Sequence, residues 1–300
     1  MPIPFREPPK DEGSDVGHIH PTAVIDPRSR VGADVTIGPF CVIEPDVVIG
    51  DGCRLASHVV IKSGTTLGRD NQVFEGAVLG GRPQHLAAGG VVGGLCIGDG
   101  NIIRENATIH AGLKPGDRTV LGDGNMIMVN AHIGHDCWVG DRTIITNNAM
   151  IAGHVHIESR AYISGAAGIH QFCRVGQLAM VGAQAHISQD IPPFVTIDGL
   201  SSTVVGLNLI GLRRNGYRQE DILELKAAYR VIYRSGGSFE EILATLRHRF
   251  PSGPAAAYYD FLKQSKRGYV RERRGPARAT IKLFTGEARE DAPMALCRAG

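Results

Sequence analysis

The sequence predicts a parallel β-helix followed by a small α-helical domain, and three observations carry that prediction. An aliphatic residue recurs every six positions through about two thirds of the chain. Of the 300 residues 39 are Gly, nearly twice the usual share and too many for a helical bundle. Apolar spacings of three and four appear only after the segment Asp190-Ile-Pro-Pro-Phe.

The six-residue rhythm defines the first architecture. Stepping by six from Ile19 to Ile187 visits 29 positions, of which 27 hold Ile, Leu or Val; the exceptions are His85 and Pro115. A 3.6-residue period does not fold six into one stripe, and simple alternation would not repeat one large residue every third pair. Coils of three short strands meet the pattern. One aliphatic and one small residue per side point inward, and coils stacked about 4.8 Å apart satisfy one another's backbone. The small position holds Cys41, Cys53, Cys137 and Cys173 among many alanines. No C-x-x-C pair occurs, so these thiols are expected to be reduced core residues rather than disulfides or zinc ligands. Residues 19–198 form this unit, with roughly nine to ten coils of eighteen residues. Stretches near 81–95 and 113–119 break the rhythm and are expected to leave the solenoid as loops available to a substrate.

Residues 199–270 form the helical domain, with helices expected over 203–215, 219–235, from Ser238 onward with a capping-box signal, and over 254–264. This domain supplies a cap for the last coil. Residues 1–18 are a polar extension without the apolar stretch of a signal peptide, and 271–300 are a basic tail expected to be disordered. The net charge is +2. Residues 266–300 alone carry +5, so the body offers no basic surface for nucleic acid. No transmembrane segment is expected, and the cytoplasm is the expected compartment.

His132, His135, His154 and His170 fall within 39 residues. With eighteen residues per coil, Gly153 stacks over His135, His154 over Asp136, and His170 lies one coil beyond Ala152. His135, Gly153, His154 and His170 should therefore gather on one side, with Asp136 adjacent. Spacing alone also fits polar histidines on a solvated face.

The local text goes further. Asn130-Ala-His-Ile-Gly-His-Asp-Cys, Asn147-Asn-Ala-Met-Ile-Ala-Gly-His-Val, Ile169-His-Gln-Phe-Cys, Gln189-Asp-Ile-Pro-Pro-Phe and Gly206-Leu-Asn-Leu-Ile-Gly-Leu-Arg-Arg-Asn-Gly-Tyr occur in that order. Over about residues 17–270 the chain resembles the acyl-carrier-protein-dependent UDP-N-acetylglucosamine O-acyltransferases of lipid A biosynthesis, within the hexapeptide-repeat transferases. The resemblance implies a left-handed β-helix, an exception to the usual crossover hand. It implies His135 as general base, Asp136 as its orienting carboxylate and the Gly153 N–H as oxyanion donor. His132, His154, His170 and Gln171 match substrate-positioning residues, Asn208 and Arg214 match contacts to the nucleotide, and Ala183 matches the position that limits acyl length. No cofactor or metal is implied, since an acyl-carrier-protein thioester brings the activated acyl group. A homotrimer with sites between subunits is implied, with acidic acyl carrier protein docking on basic residues such as Arg213, Lys226, Arg230 and Arg234.

Departures from the family pattern keep other readings open. In the first loop relatives usually carry an Asp-Leu-Lys-Tyr-like segment that holds the sugar nucleotide, whereas this chain has His85-Leu86-Ala87-Ala88. Ile210 and Asn215 also replace a common Glu and Arg. The alternatives are a paralogue acting on a related UDP-amino sugar, such as a 3-amino sugar yielding an amide, and a catalytically weak structural or regulatory protein. A zinc site on His132, His135 and His154 is a third, poorly matched by the spacing.

Overall fold

The structure, a computed structural model, describes residues 17–273. Most of the polar N-terminal extension, nearly all of the basic tail and Cys297 lie outside the described residues. From Ile19 the chain winds into three parallel sheets of nine, eight and ten strands, a left-handed parallel β-helix. The strands are mostly two residues long, and each pairs with its counterpart one coil on: Val24 with Val42, His132 with Met150, Met150 with Gly168. The first sheet runs from Val24–Ile25 to His186–Ile187, the second from Arg30–Val31 to Arg174–Val175. The third runs from Thr36–Ile37 to Val195–Ile197 and ends on one antiparallel strand, Val204–Leu207.

The interior follows from the hexads. Ile109, Ile133, Ile151 and Ile169 stack in one fully buried column, each contributing about 1.5–3 kcal/mol by leaving water. Cys41, Cys53, Cys137 and Cys173 are buried free thiols. The Cys137 thiol donates to Ala152 O at 3.0 Å, and burial pushes it up to about 12. Buried asparagines add a polar ladder: Asn71 Oδ1 accepts from the Asn101 backbone N–H and Nδ2, both at 2.9 Å. Asn101 Oδ1 does the same for Asn125 at 2.8 and 3.0 Å.

Most corners place one residue in the left-handed region, and many such residues are not glycine. Asp136, His154 and Phe172 have φ of 58°, 59° and 64°. Such a conformation costs about 1–2 kcal/mol per residue and persists where the surroundings over-determine it, here through coil-to-coil bonds such as His154 N–H to His135 O at 2.9 Å.

Both interruptions, 82–93 and 111–117, leave from the same edge, between the first and second sheets. One expectation fails: residues 203–208 are not helical. Val204–Leu207 is a strand against Val195–Ile197, and the first helix, α1, spans only Leu209–Arg214. The others are α2 Gln219–Arg234, α3 Phe239–Arg249 and α4 Ala256–Leu262. Ser238 and Glu241 form the expected capping box of α3. The helices share a second core that includes Leu178 and Phe194 of the solenoid. Arg174 donates to Phe261 O at 2.9 Å and lies over its ring. After α4 the chain returns, bridging Tyr269 to Asp190 and Glu272 to Val204. Among the described residues no helix is long and apolar enough to cross a membrane.

Candidate active site

The edge between the first and second sheets carries the chemistry. Its corners place Gly134, Ala152 and His170 in one column, His135, Gly153 and Gln171 in the next, and Asp136, His154 and Phe172 in the third. The register of His132 with Met150 and Met150 with Gly168 fixes this order.

His135 is buried, 8% exposed. Its Nδ1 lies 2.6 Å from Asp136 Oδ2. An ionised carboxylate only accepts, so the proton sits on Nδ1 and Nε2 keeps a lone pair. Asp136 is held in turn: the Leu113 backbone N–H faces both carboxylate oxygens at 3.2 Å, and the Asp136 N–H donates to Thr119 Oγ1 at 2.8 Å. Leu113 belongs to the second loop, which therefore braces the carboxylate.

Nε2 points at Gly153. A Cβ at residue 153 would lie 2.6 Å from that nitrogen, so only glycine leaves the ring its place. Among the described residues no acceptor takes the Gly153 N–H. This edge therefore combines a nitrogen lone pair with an uncommitted backbone donor beside it.

Further imidazoles surround the pair. The His154 ring is edge-on to His135 at 5.0 Å and stacks on Phe172 at 4.6 Å. His85, from the first loop, meets the His135 ring edge-on at 5.4 Å. Its Nδ1 accepts from the Ala87 N–H at 3.0 Å. His132 lies on the adjoining sheet face, its Nδ1 2.8 Å from Thr108 Oγ1 and its ring 4.6 Å from that of His110. Burial pushes His110 down to about 4, aided by His132 and His135, and burial also lowers His132. Both are neutral near pH 7 and can offer uncharged hydrogen bonds to a hydroxyl.

The structure thus unites His135, Asp136, Gly153 and His154. His170 and Gln171 share the edge, but the exposed His170 ring donates to Gln171 O at 3.2 Å, and Phe172 rather than His170 meets His154. Ala183 lies on a different edge, between the third and first sheets. Asn208 caps α1: Oδ1 accepts from the Gly211 N–H and Nδ2 donates to Leu178 O, both at 2.9 Å. Arg214 is exposed at the end of α1, and Arg234 pairs with Glu272 at 2.7 Å. His110, Phe172, Leu113 and Thr119 were not singled out as site residues from the sequence.

Comparison with known proteins identifies the family. Residues 190–270 match the family described as UDP N-acetylglucosamine O-acyltransferase, domain 2, and residues 28–63 and 118–153 match the bacterial transferase hexapeptide family. The acyl-[acyl-carrier-protein]--UDP-N-acetylglucosamine O-acyltransferase of Halorhodospira halophila is 42% identical over 255 residues, covering 84% of this chain and 99% of that one. The solved UDP-N-acetylglucosamine acyltransferase of Francisella novicida superposes with a TM-score of 0.83 at 36% identity, covering 85% of this chain and 94% of that one. LpxA from Acinetobacter baumannii gives 0.82 at 41% identity, covering 84% and 99%.

Proposed function

The chain belongs to the acyl-[acyl-carrier-protein]--UDP-N-acetylglucosamine O-acyltransferase family, and on that premise we propose that His135 is the base that drives acyl transfer here. The enzyme moves a 3-hydroxyacyl chain from acyl carrier protein to the 3-position of UDP-N-acetylglucosamine, the first step of lipid A biosynthesis. His135 Nε2 takes the proton of the sugar hydroxyl as its oxygen attacks the thioester carbonyl carbon. The Gly153 N–H stabilises the resulting oxyanion. The C–S bond then breaks, and the imidazolium returns that proton to the departing carrier sulfur, which leaves as the thiol and restores the neutral base. Asp136 supports the imidazolium between the two transfers. His154, His170 and Gln171 position the two substrates along the same edge, and His132 does so from the adjoining sheet face.

The observation that carries this reading is the placement of one buried ring between a carboxylate at Nδ1 and a glycine at Nε2. Ala183, Asn208 and Arg214 lie away from this edge within one chain, which supports a homotrimer in which a neighbouring subunit brings acyl-length and nucleotide contacts to His135. Acyl carrier protein is the donor, no cofactor is required, and the cytoplasm is the compartment that this donor implies.

The test is transfer from a 3-hydroxyacyl carrier protein to UDP-N-acetylglucosamine by purified protein. His135→Ala is expected to lose roughly a hundred- to ten-thousand-fold in kcat; turnover that survives it removes the assignment. One observation favours a second acceptor: the first loop exposes Ala87, where the family resemblance implies a Lys. The 3-amino analogue assayed in parallel would then yield an amide at higher kcat/KM. Turnover of either acceptor excludes a purely structural role.

A further inference from the structure

We propose that His135, Asp136 and His154 form a binding site for a divalent transition-metal ion of the zinc type, and that the ion switches the base off. The second half rests on the function proposed above; the site itself does not.

One ligand atom from each residue falls within 4.8 Å of the others. Asp136 Oδ2 lies 2.6 Å from His135 Nδ1 and 3.7 Å from His154 Nε2. Tetrahedral zinc with bonds near 2.0–2.2 Å wants donors about 3.3 Å apart, so side-chain shifts on the order of an ångström convert the cluster into a chelate. The scaffold already brings the three donors together. Asp136 and His154 occupy equivalent corners of adjacent coils, tied by the bond from His154 N–H to His135 O, and Phe172 holds the His154 ring from its other face. The His135 and Asp136 side chains are 10% and 9% exposed, that of His154 35%, which leaves an entry on one side and room for a fourth, solvent-derived ligand. Two imidazoles and a carboxylate suit zinc and its neighbours and not calcium or magnesium.

Binding has a defined consequence for the ring. A metal on Nδ1 takes that lone pair, so the single proton of the neutral imidazole moves from Nδ1 to Nε2. Nε2 becomes a donor and can no longer accept the hydroxyl proton, while Asp136 turns from hydrogen-bond acceptor into ligand. No net proton is released.

Chelator-treated full-length protein titrated with Co2+, a spectroscopic substitute for zinc, tests the site. A visible d–d band saturating at one ion per chain and displaced by Zn2+ is expected. His154→Gln and Asp136→Asn should each weaken binding by about tenfold or more with unchanged thermal unfolding, and His170→Gln should not. No band, or a band that survives both ligand substitutions, overturns the site. Zn2+ should abolish acyl transfer with the midpoint of its binding and chelator should restore it; transfer indifferent to bound zinc overturns the switch. Metal-free protein that transfers acyl but shows no band leaves the functional reading intact. Protein that binds the ion yet transfers nothing, with or without chelator, removes that reading while the site stands.

Discussion

Replacing Gly153 with alanine tests the site through one methyl group. The added Cβ would lie 2.6 Å from His135 Nε2 and 2.7 Å from its Cε1, whereas ordinary contact begins near 3.4 Å. The ring must therefore retreat by about 0.8 Å. Its retreat is opposed by the 2.6 Å bond to Asp136, whose carboxylate is anchored by Leu113. A displacement near 1 Å costs about a hundredfold in rate, equivalent to about 2.7 kcal/mol of transition-state stabilisation. Gly153 does not occupy the left-handed region, so alanine adds no backbone strain and thermal unfolding should move by only a few degrees. Steady-state assays should show kcat falling about a hundredfold with a smaller change in KM. Full turnover with unaltered stability would refute the placement of the reacting nitrogen.

Ala87→Lys introduces the cation that the family resemblance implies for the first loop; a charge-assisted hydrogen bond of about 1.5–3 kcal/mol lowers KM for UDP-N-acetylglucosamine roughly ten- to a hundredfold, and an unchanged KM separates this loop from the nucleotide. His110, pushed down by burial to about 4, stays neutral while its unfolded counterpart takes up a proton near pH 6.5. Stability therefore rises with pH across that window and is lost as pH falls through it, by about 3 kcal/mol in all. Urea denaturation at both ends of the window should show the loss shrinking in His110→Asn, and an identical loss rejects the burial argument. Asn101→Ala removes the acceptor of both Asn125 donors and leaves them buried. It should cost about 3 kcal/mol, and a denaturation shift below about 1 kcal/mol would show that water replaces the lost group.

The solenoid was legible because each coil answers only to its neighbours, so a local rhythm states the global packing. His135 and Asp136 were legible by adjacency, and Gly153 and His154 by counting eighteen. Counting failed where loops intervene. His110 follows Ile109 as Gly134 follows Ile133, but the register puts Thr108 opposite His132, 24 residues on, and eighteen back from His132 lands on Lys114. Aligning the hexads with the loop removed would have found it. The contact of His85 with His135 depends on a twelve-residue excursion that no periodicity describes. Residues 203–208 were misread because Val204, Leu207 and Ile210 carry helical spacing, while the strand pairing that wins comes from Val195–Ile197, outside that window.

The eighteen-residue coil also sets a phase. Removing one whole hexad from the chain between residues 137 and 152 would return every later aliphatic residue to an inward slot, yet turn all that follows by a third of a revolution. His154 would then project from a neighbouring ridge of the prism while His135 stayed where it is. Foldability in this architecture is indifferent to multiples of six, whereas its chemistry is indifferent only to multiples of eighteen.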